Sequence, residues 1–199
     1  MPSNTPDTAH GDNAAPADSE LLARWTTGDE AAFTALFQRH AGLIYSVALR
    51  QAASPQTAAE VVTQVMTAVA RKAGALQKLD NLPGWLHRAA VLEMRRHRRA
   101  ASRDARRLAP LEELNVMPTS PDSDLSAVRT ELDRALLHLN GRDRRYIFER
   151  FYEGRQVREI AARSGESEAA VQKRGHRALE RLAGLLSRQI GRASCRERV

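Results

Sequence analysis

Four side chains near the C-terminus, Gln172, Lys173, Arg174 and Arg177, carry the donors that nucleic acid accepts. Arginine and lysine reach phosphates or the guanine edge, and glutamine can pair with adenine. They lie on the second helix of a helix-turn-helix predicted over residues 157–186. In its first helix Val157, Ile160 and Ala161 share an apolar face, and Gly165 can take the positive φ that ends the helix cheaply. Ser167 is a good N-cap for the second helix, where Val171, Ala178, Leu182 and Leu185 recur at helical spacing. The four polar residues therefore face away from a core stripe, as a helix that enters a major groove requires. Basic surface helices also occur without any ligand, and helix-turn-helix spacing recurs in bundles that bind nothing. The rest of the chain has to decide between these readings.

A second basic run points the same way. Arginines stand at 88, 95, 96, 98, 99, 103, 106 and 107, opposed only by Glu93 and Asp104. Part of this run has a bland explanation, because arginines favour a helix C-terminus by about 0.3–1 kcal/mol each. No Ser-His-Asp or Cys-His set and no glycine-rich phosphate loop appears at readable spacing, so neither an enzyme nor a cofactor is expected. His87 and His97 are too far apart for the i, i+4 pairing of a zinc site. The single cysteine, Cys195, excludes an intramolecular disulfide and makes a metal site unexpected. Trp85 sits among Leu86, Ala89 and Ala90 and reads as a core anchor more readily than as a stacking platform.

The chain-wide balance agrees with a polyanionic partner. Lys plus Arg number 31 against 24 acidic residues, a net charge of +7 with a pI near 10.4, which favours nucleic acid before a membrane. Only 5% of the 199 residues are aromatic, and Ala, Leu, Arg and Glu dominate, the composition of an all-α protein. No positively charged start precedes an apolar run, and no apolar stretch approaches the roughly 20 residues that span a bilayer. A cytoplasmic protein without membrane contact is expected.

The elements that hold these residues can be read in order. Residues 1–17 offer almost nothing to bury and should be disordered. Asp18 and Ser19 are candidate N-caps for a helix over 20–26, and Asp29 for one over 30–53 bearing Phe33, Leu36, Phe37, Ile44, Val47 and Ala48. A third helix over 56–75 turns Val61, Val62, Val65, Met66 and Val69 inward, and Pro83 suits the first turn of a fourth. Residues 108–124 hold three prolines and four acidic residues with no Lys or Arg, an extended acidic linker. Asp124 can cap the next helix, with Leu125, Val128, Leu132, Leu136 and Leu139, which stops at Asn140-Gly141. One more, with Tyr146, Ile147, Phe148 and Phe151, ends at Gly154 before the helix-turn-helix. The prediction is two small helical domains, 18–107 and 125–188, joined by the linker 108–124. The terminal 191–199 lacks apolar periodicity and reads as a cloning or read-through scar outside the fold.

In order and spacing this chain resembles the extracytoplasmic-function group of bacterial RNA polymerase sigma factors. The resemblance spans about residues 18–188 and rests on Gly28-Asp-Glu-Ala-Ala-Phe33, Leu36-Phe-Gln-Arg-His40 with Ile44-Tyr45, Gly84-Trp85-Leu-His-Arg88, and Leu136-X-X-Leu139 followed by Phe151-Tyr-Glu-Gly154 and Glu159-Ile160-Ala161. It implies that the first domain grips core RNA polymerase through the helix carrying Glu60 and Gln64. The following loop and helix would read and melt the minus-ten element of promoter DNA with Lys78, Asn81, Arg88, Arg95 and Arg96. The linker would thread toward the polymerase cleft, and Ser167, Gln172, Lys173, Arg174 and Arg177 would read the minus-thirty-five element. An anti-sigma factor is a further candidate partner, and the chemistry belongs to the polymerase. Some positions depart from the family pattern: Val61 stands where an acidic residue is usual, Met66 or Thr67 where an aromatic is, Leu92 where asparagine is, Glu166 where an apolar residue is, and Gly175 where leucine is. An interior glycine costs about 1 kcal/mol relative to alanine. The altered helix around Val61 leaves open a stand-alone helix-turn-helix regulator with a degenerate polymerase-binding domain. An interaction module such as an anti-sigma decoy is a third reading, which two separate basic helices disfavour.

Overall fold

A computed structural model describes residues 16–52, 54–108 and 123–196. The chain runs through α1 (Asp18–Thr26), α2 (Glu30–Leu49), α3 (Pro55–Leu76), α4 (Leu82–Leu108), α5 (Ser123–His138), α6 (Gly141–Ile147), a π-helical turn (Phe148–Tyr152), α7 (Val157–Ser164) and α8 (Glu168–Arg196). There is no strand among the described residues, so the fold is all-α as the composition implies. No helix of the described residues is long and apolar enough to cross a membrane. Residues 1–15 of the predicted tail and most of the predicted linker lie outside the described residues.

Side-chain caps fix most of the helix starts. Asp29 accepts from the Ala32 N–H, Ser54 from Thr57, Asn81 from Gly84 and Asn140 from Asp143, each satisfying a donor that the first helical turn leaves free. Asp18 is not the cap that its position suggested. Ala17 occupies that place without a side-chain bond, and Asp18 lies inside α1. Its carboxylate instead reaches α2, taking a hydrogen bond from Arg39 at 2.7 Å and one from the buried His40 at 3.0 Å. Asp124, likewise expected as a cap, falls inside α5. Helix α2 stops at Leu49, short of the expected residue 53, and α8 continues through Arg196 into the stretch read as a scar.

Two apolar clusters result. Leu21, Leu22, Leu36, Ile44, Val47, Val61, Val69, Leu86 and Met94 hold α1 to α4 together. Leu136, Leu139, Tyr146, Ile147, Ile160, Ala161, Val171 and Ala178 hold α5 to α8, with Val157, Leu182 and Leu185 at its edge. Phe148 belongs to the first cluster, although its chain neighbours build the second. The π turn explains this. Its wider winding, with Glu153 N–H donating to Phe148 C=O at 2.9 Å, shifts the side-chain register by a fraction of a turn. Phe148 and Tyr152 then meet the first unit, while Phe151 is left 61% exposed.

Asp18 also sets an acid limit on the first unit. Burial would raise its carboxyl pKa, but the hydrogen bonds and charges of His40 and Arg39 outweigh burial and hold it below the usual value. A depressed folded pKa gives stability that is complete above the unfolded value of about 3.9 and is lost as pH falls through the folded value. In urea melts the stability gap between the native chain and Asp18→Asn should therefore be widest near neutrality and narrow progressively below pH 4. An equal gap at pH 7 and pH 3 would show that Asp18 acts without its charge.

Candidate nucleic-acid interface

The recognition helix is built as its residue types require. The Gln156 side chain and Glu159 form a capping box at the start of α7, Glu159 accepting from the Gln156 N–H at 2.7 Å. At its end Gly165 adopts φ 68°, and the Glu166 N–H reaches back to Ala161 C=O at 3.1 Å. Ser167 then caps α8 by accepting from the Ala170 N–H at 3.2 Å, which engages its oxygen in the fold. Val171 and Ala178 are fully buried. The stripe at 173, 174, 177 and 181, three and four residues apart, therefore points away from the core.

That stripe forms one wall of an open cleft of about 990 Å³. Ala170, Lys173, Arg174, Arg177 and Arg181 contribute from α8, and Arg142, Arg144 and Arg145 from α6. The opposite wall is the α3–α4 loop and the start of α4, with Leu79, Asp80, Asn81, Trp85 and Arg88. Three of the cations are neutralised: Arg174 pairs with Glu166, Arg181 with the buried Asp143, and Arg145 with Glu149 at 3.1 Å and Asp80 at 3.8 Å. Arg88, Arg142, Arg144, Lys173 and Arg177 have no ion-pair partner among the described residues. Their crowding is felt, because burial and then the like charge of Arg88 lower the pKa of Arg144. A surface of this kind binds phosphate oxygens as ion pairs and hydrogen bonds together.

The structure brings Asn81 and Arg88 together with Lys173, Arg174 and Arg177, and leaves the other predicted site residues elsewhere. Gln172 and Lys78 are exposed outside the cleft. Farther along α4, Arg95 is half-buried and Arg96 pairs with Glu93 at 3.1 Å. Glu60 and Gln64 lie exposed on α3, and the Gln64 Oε1 meets His97 Nε2 at 3.0 Å. Asn81 has its carbonyl oxygen committed to the cap of α4. Trp85 is half-buried, packed on the first core while it lines the cleft. Sequence reasoning missed Arg142, Arg144 and Arg145. The run Gly141-Arg-Asp-Arg-Arg145 was available as a signal, but cations in the first turn of a helix oppose its dipole and have no local reason to be there. Among the described residues no group of three His, Cys, Asp or Glu side chains could hold a metal ion.

Comparisons with known proteins match both halves. The family described as Sigma-70 region 2 matches residues 36–104, and Sigma-70, region 4 matches residues 129–182. The ECF RNA polymerase sigma factor SigF of Caulobacter vibrioides (strain NA1000 / CB15N) is 30% identical over 177 residues, covering 86% of this chain and 94% of that protein. Among solved structures, CnrH in complex with the cytosolic domain of CnrY is 23% identical over 86% of this chain and 98% of that one, with a TM-score of 0.40. The sigma factor RpoE in complex with the anti-sigma factor NepR from Bartonella quintana is 21% identical over 78% and 96%, with a TM-score of 0.36.

Proposed function

The chain belongs to the extracytoplasmic-function (ECF) sigma factors of bacterial RNA polymerase, and on that premise we propose that it binds core polymerase and directs transcription from its own promoters. Residues 125–188 read the minus-thirty-five element, with Gln172, Lys173, Arg174 and Arg177 toward the bases and phosphates and Ser167 at the helix start. Residues 18–107 bind the polymerase through Glu60 and Gln64. Lys78, Asn81, Arg88, Arg95 and Arg96 of the same unit engage and help to melt the minus-ten element. The acidic linker 108–124 passes between them toward the polymerase cleft. The polymerase performs the chemistry, in the cytoplasm, and an anti-sigma factor is a candidate third partner. The observation that carries this reading is the cationic stripe of α8, exposed at Lys173 and Arg177 on a capped helix-turn-helix.

Affinity for bacterial core RNA polymerase at near-physiological salt tests it. The chain should bind on the order of nanomolar, about −12 kcal/mol, and Glu60→Lys with Gln64→Ala should weaken binding at least tenfold. Both substituted positions are exposed, so the variant should keep its fold. Absence of binding to a matched polymerase would make the first unit a relic and favour a stand-alone regulator.

A further inference from the structure

The cationic cleft carries a second chemistry beside its charge. Arg142, Arg144, Lys173 and Arg177 stand on the α6–α8 wall, and Arg88 faces them from α4. These five have no ion-pair partner among the described residues, whereas both acids of the lining are paired, Asp143 with Arg181 and Asp80 with Arg145 at 3.8 Å. Next to the cations, Leu79, Trp85 and Ala170 give the same cleft an apolar patch. Leu79 is 41% exposed, and Trp85 is half-buried. Duplex phosphates need only the cations. A flat apolar ring within reach of them suits a ligand that brings a ring of its own.

The fold sets the two walls at a fixed separation. Asp133 of α5 is fully buried. It accepts from Arg50 at 2.6 and 3.3 Å and from the Gln51 amide at 3.0 Å, and His87 Nε2, on the helix that carries Trp85 and Arg88, meets it at 3.1 Å. A buried carboxylate is tolerated only with such a set of partners. Arg144 is held as well, one Nη1 hydrogen bond going to the Leu137 carbonyl at 3.3 Å, which leaves most of its five donors for a ligand. Its pKa is lowered by burial and then by the charge of Arg88 across the cleft, so an anion between the two would relieve both. The volume of about 990 Å³ lies at the upper end of small-molecule sites, about 300–1,000 Å³. The bases of a duplex are stacked on one another and cannot lie on Trp85, whereas a free nucleotide can.

We propose that this cleft binds a nucleoside polyphosphate, its base against Trp85 and Leu79 and its linked phosphates between Arg88 on one wall and Arg144 and Lys173 on the other. Several linked phosphates match the free cations, where a single phosphate would leave most of them unpaired. Stacking on an aromatic side chain adds affinity for any base, so the ring sets the class of ligand rather than the identity of the base. Arg88, Lys173 and Arg177 also belong to the proposed promoter surface. Nucleotide and promoter DNA therefore exclude each other, a consequence that rests on the sigma reading, whereas binding itself can be tested without transcription.

Isothermal calorimetry on the full chain at near-physiological salt, with ATP, GTP and pyrophosphate as probes, tests the site. At least one of the two nucleotides should bind one to one with a Kd on the order of ten micromolar, about tenfold more tightly than pyrophosphate. Arg144→Gln and the exposed Lys173→Gln should each weaken it about tenfold, with helical content by circular dichroism unchanged. Trp85→Leu, which keeps an apolar side chain on the first core, should bring the nucleotide down to the affinity of pyrophosphate and leave pyrophosphate as it was. Arg103→Gln, exposed on α4 and outside the cleft, should bind as the native chain does. Saturating nucleotide should also weaken duplex binding several-fold. No nucleotide binding, pyrophosphate as tight as nucleotide, or an equal loss in Arg103→Gln overturns the site. A short single-stranded oligonucleotide that binds more tightly than nucleotide and weakens in Trp85→Leu makes the cleft a strand channel, and overturns it too. Nucleotide binding that leaves duplex affinity unchanged overturns the exclusion. Nucleotide binding without polymerase-dependent transcription leaves the site standing and removes the sigma reading, and transcription without nucleotide binding does the reverse.

Discussion

Lys173→Glu combined with Arg174→Glu should reduce promoter-specific transcription at least a hundredfold while core polymerase binding stays within a few-fold of the native value. The two residues sit on the same cationic stripe, on the face of α8 opposite the buried Val171 and Ala178. A side chain that reads a base edge contributes about 1–3 kcal/mol, so losing two costs about 2–6 kcal/mol, and every 1.4 kcal/mol is tenfold. Charge reversal adds repulsion from the phosphates. At position 174 it also places a second carboxylate beside Glu166, the present partner of the guanidinium. The salt dependence supplies a further signature. Each lost phosphate contact should flatten the log-log slope of affinity against salt by about 0.9. Glu60 and Gln64 lie on α3 in the other unit, which is why polymerase binding should survive. A variant that loses polymerase and promoter together would assign both tasks to the second unit.

How much of this was legible in the sequence depends on the range of the interaction. The caps at Asp29 and Ser167, the positive φ of Gly165 and the apolar stripes are local, set within one or two turns, and the residue types announce them. Asp133 gave no such signal. Its partners are 46, 82 and 83 residues away, and a single aspartate on a helix that also bears Glu131 and Arg134 looks like an ordinary solvated face. Asp18 was misread for the opposite reason: a local role was available to it, and two partners on α2 outweighed that role. The π turn had no composition of its own, and only the destination of Phe148 shows why it is there. The cleft was half legible, because Arg88 and the α8 residues stand out singly, whereas their meeting depends on contacts between the units.

Gly175→Leu should destabilise the second helical unit by about 3 kcal/mol or more, although leucine is the better helix former by nearly 1 kcal/mol. Taken alone, the glycine is a cost inside the recognition helix. In the structure a Cβ at this position would overlap Cζ and Oη of Tyr146 and stand 2.7 Å from Cε1, where carbon atoms prefer about 3.5–4.0 Å. Tyr146 is itself only 8% exposed and belongs to the cluster with Leu136, Leu139 and Ile147. Overpacking of a well-filled core costs about 1–3 kcal/mol and occasionally more. Gly175→Ala should fall within that range, and leucine at or beyond its upper end. Tyr146→Ala alone should also destabilise, by about 3–5 kcal/mol on the scale of other large aromatic truncations. The pair Gly175→Leu with Tyr146→Ala should lose less than the sum of the two, since the new side chain fills the space that the ring vacates. Thermal melts of the four proteins measure that coupling. If Gly175→Ala instead raises the melting temperature, as helix propensity alone requires, the close approach of Tyr146 to α8 is not what sets the residue. The consequence reaches the interface as well. This contact fixes how near α8 lies to α6, and so how Lys173 and Arg177 stand relative to Arg142 and Arg144 across the same cationic wall.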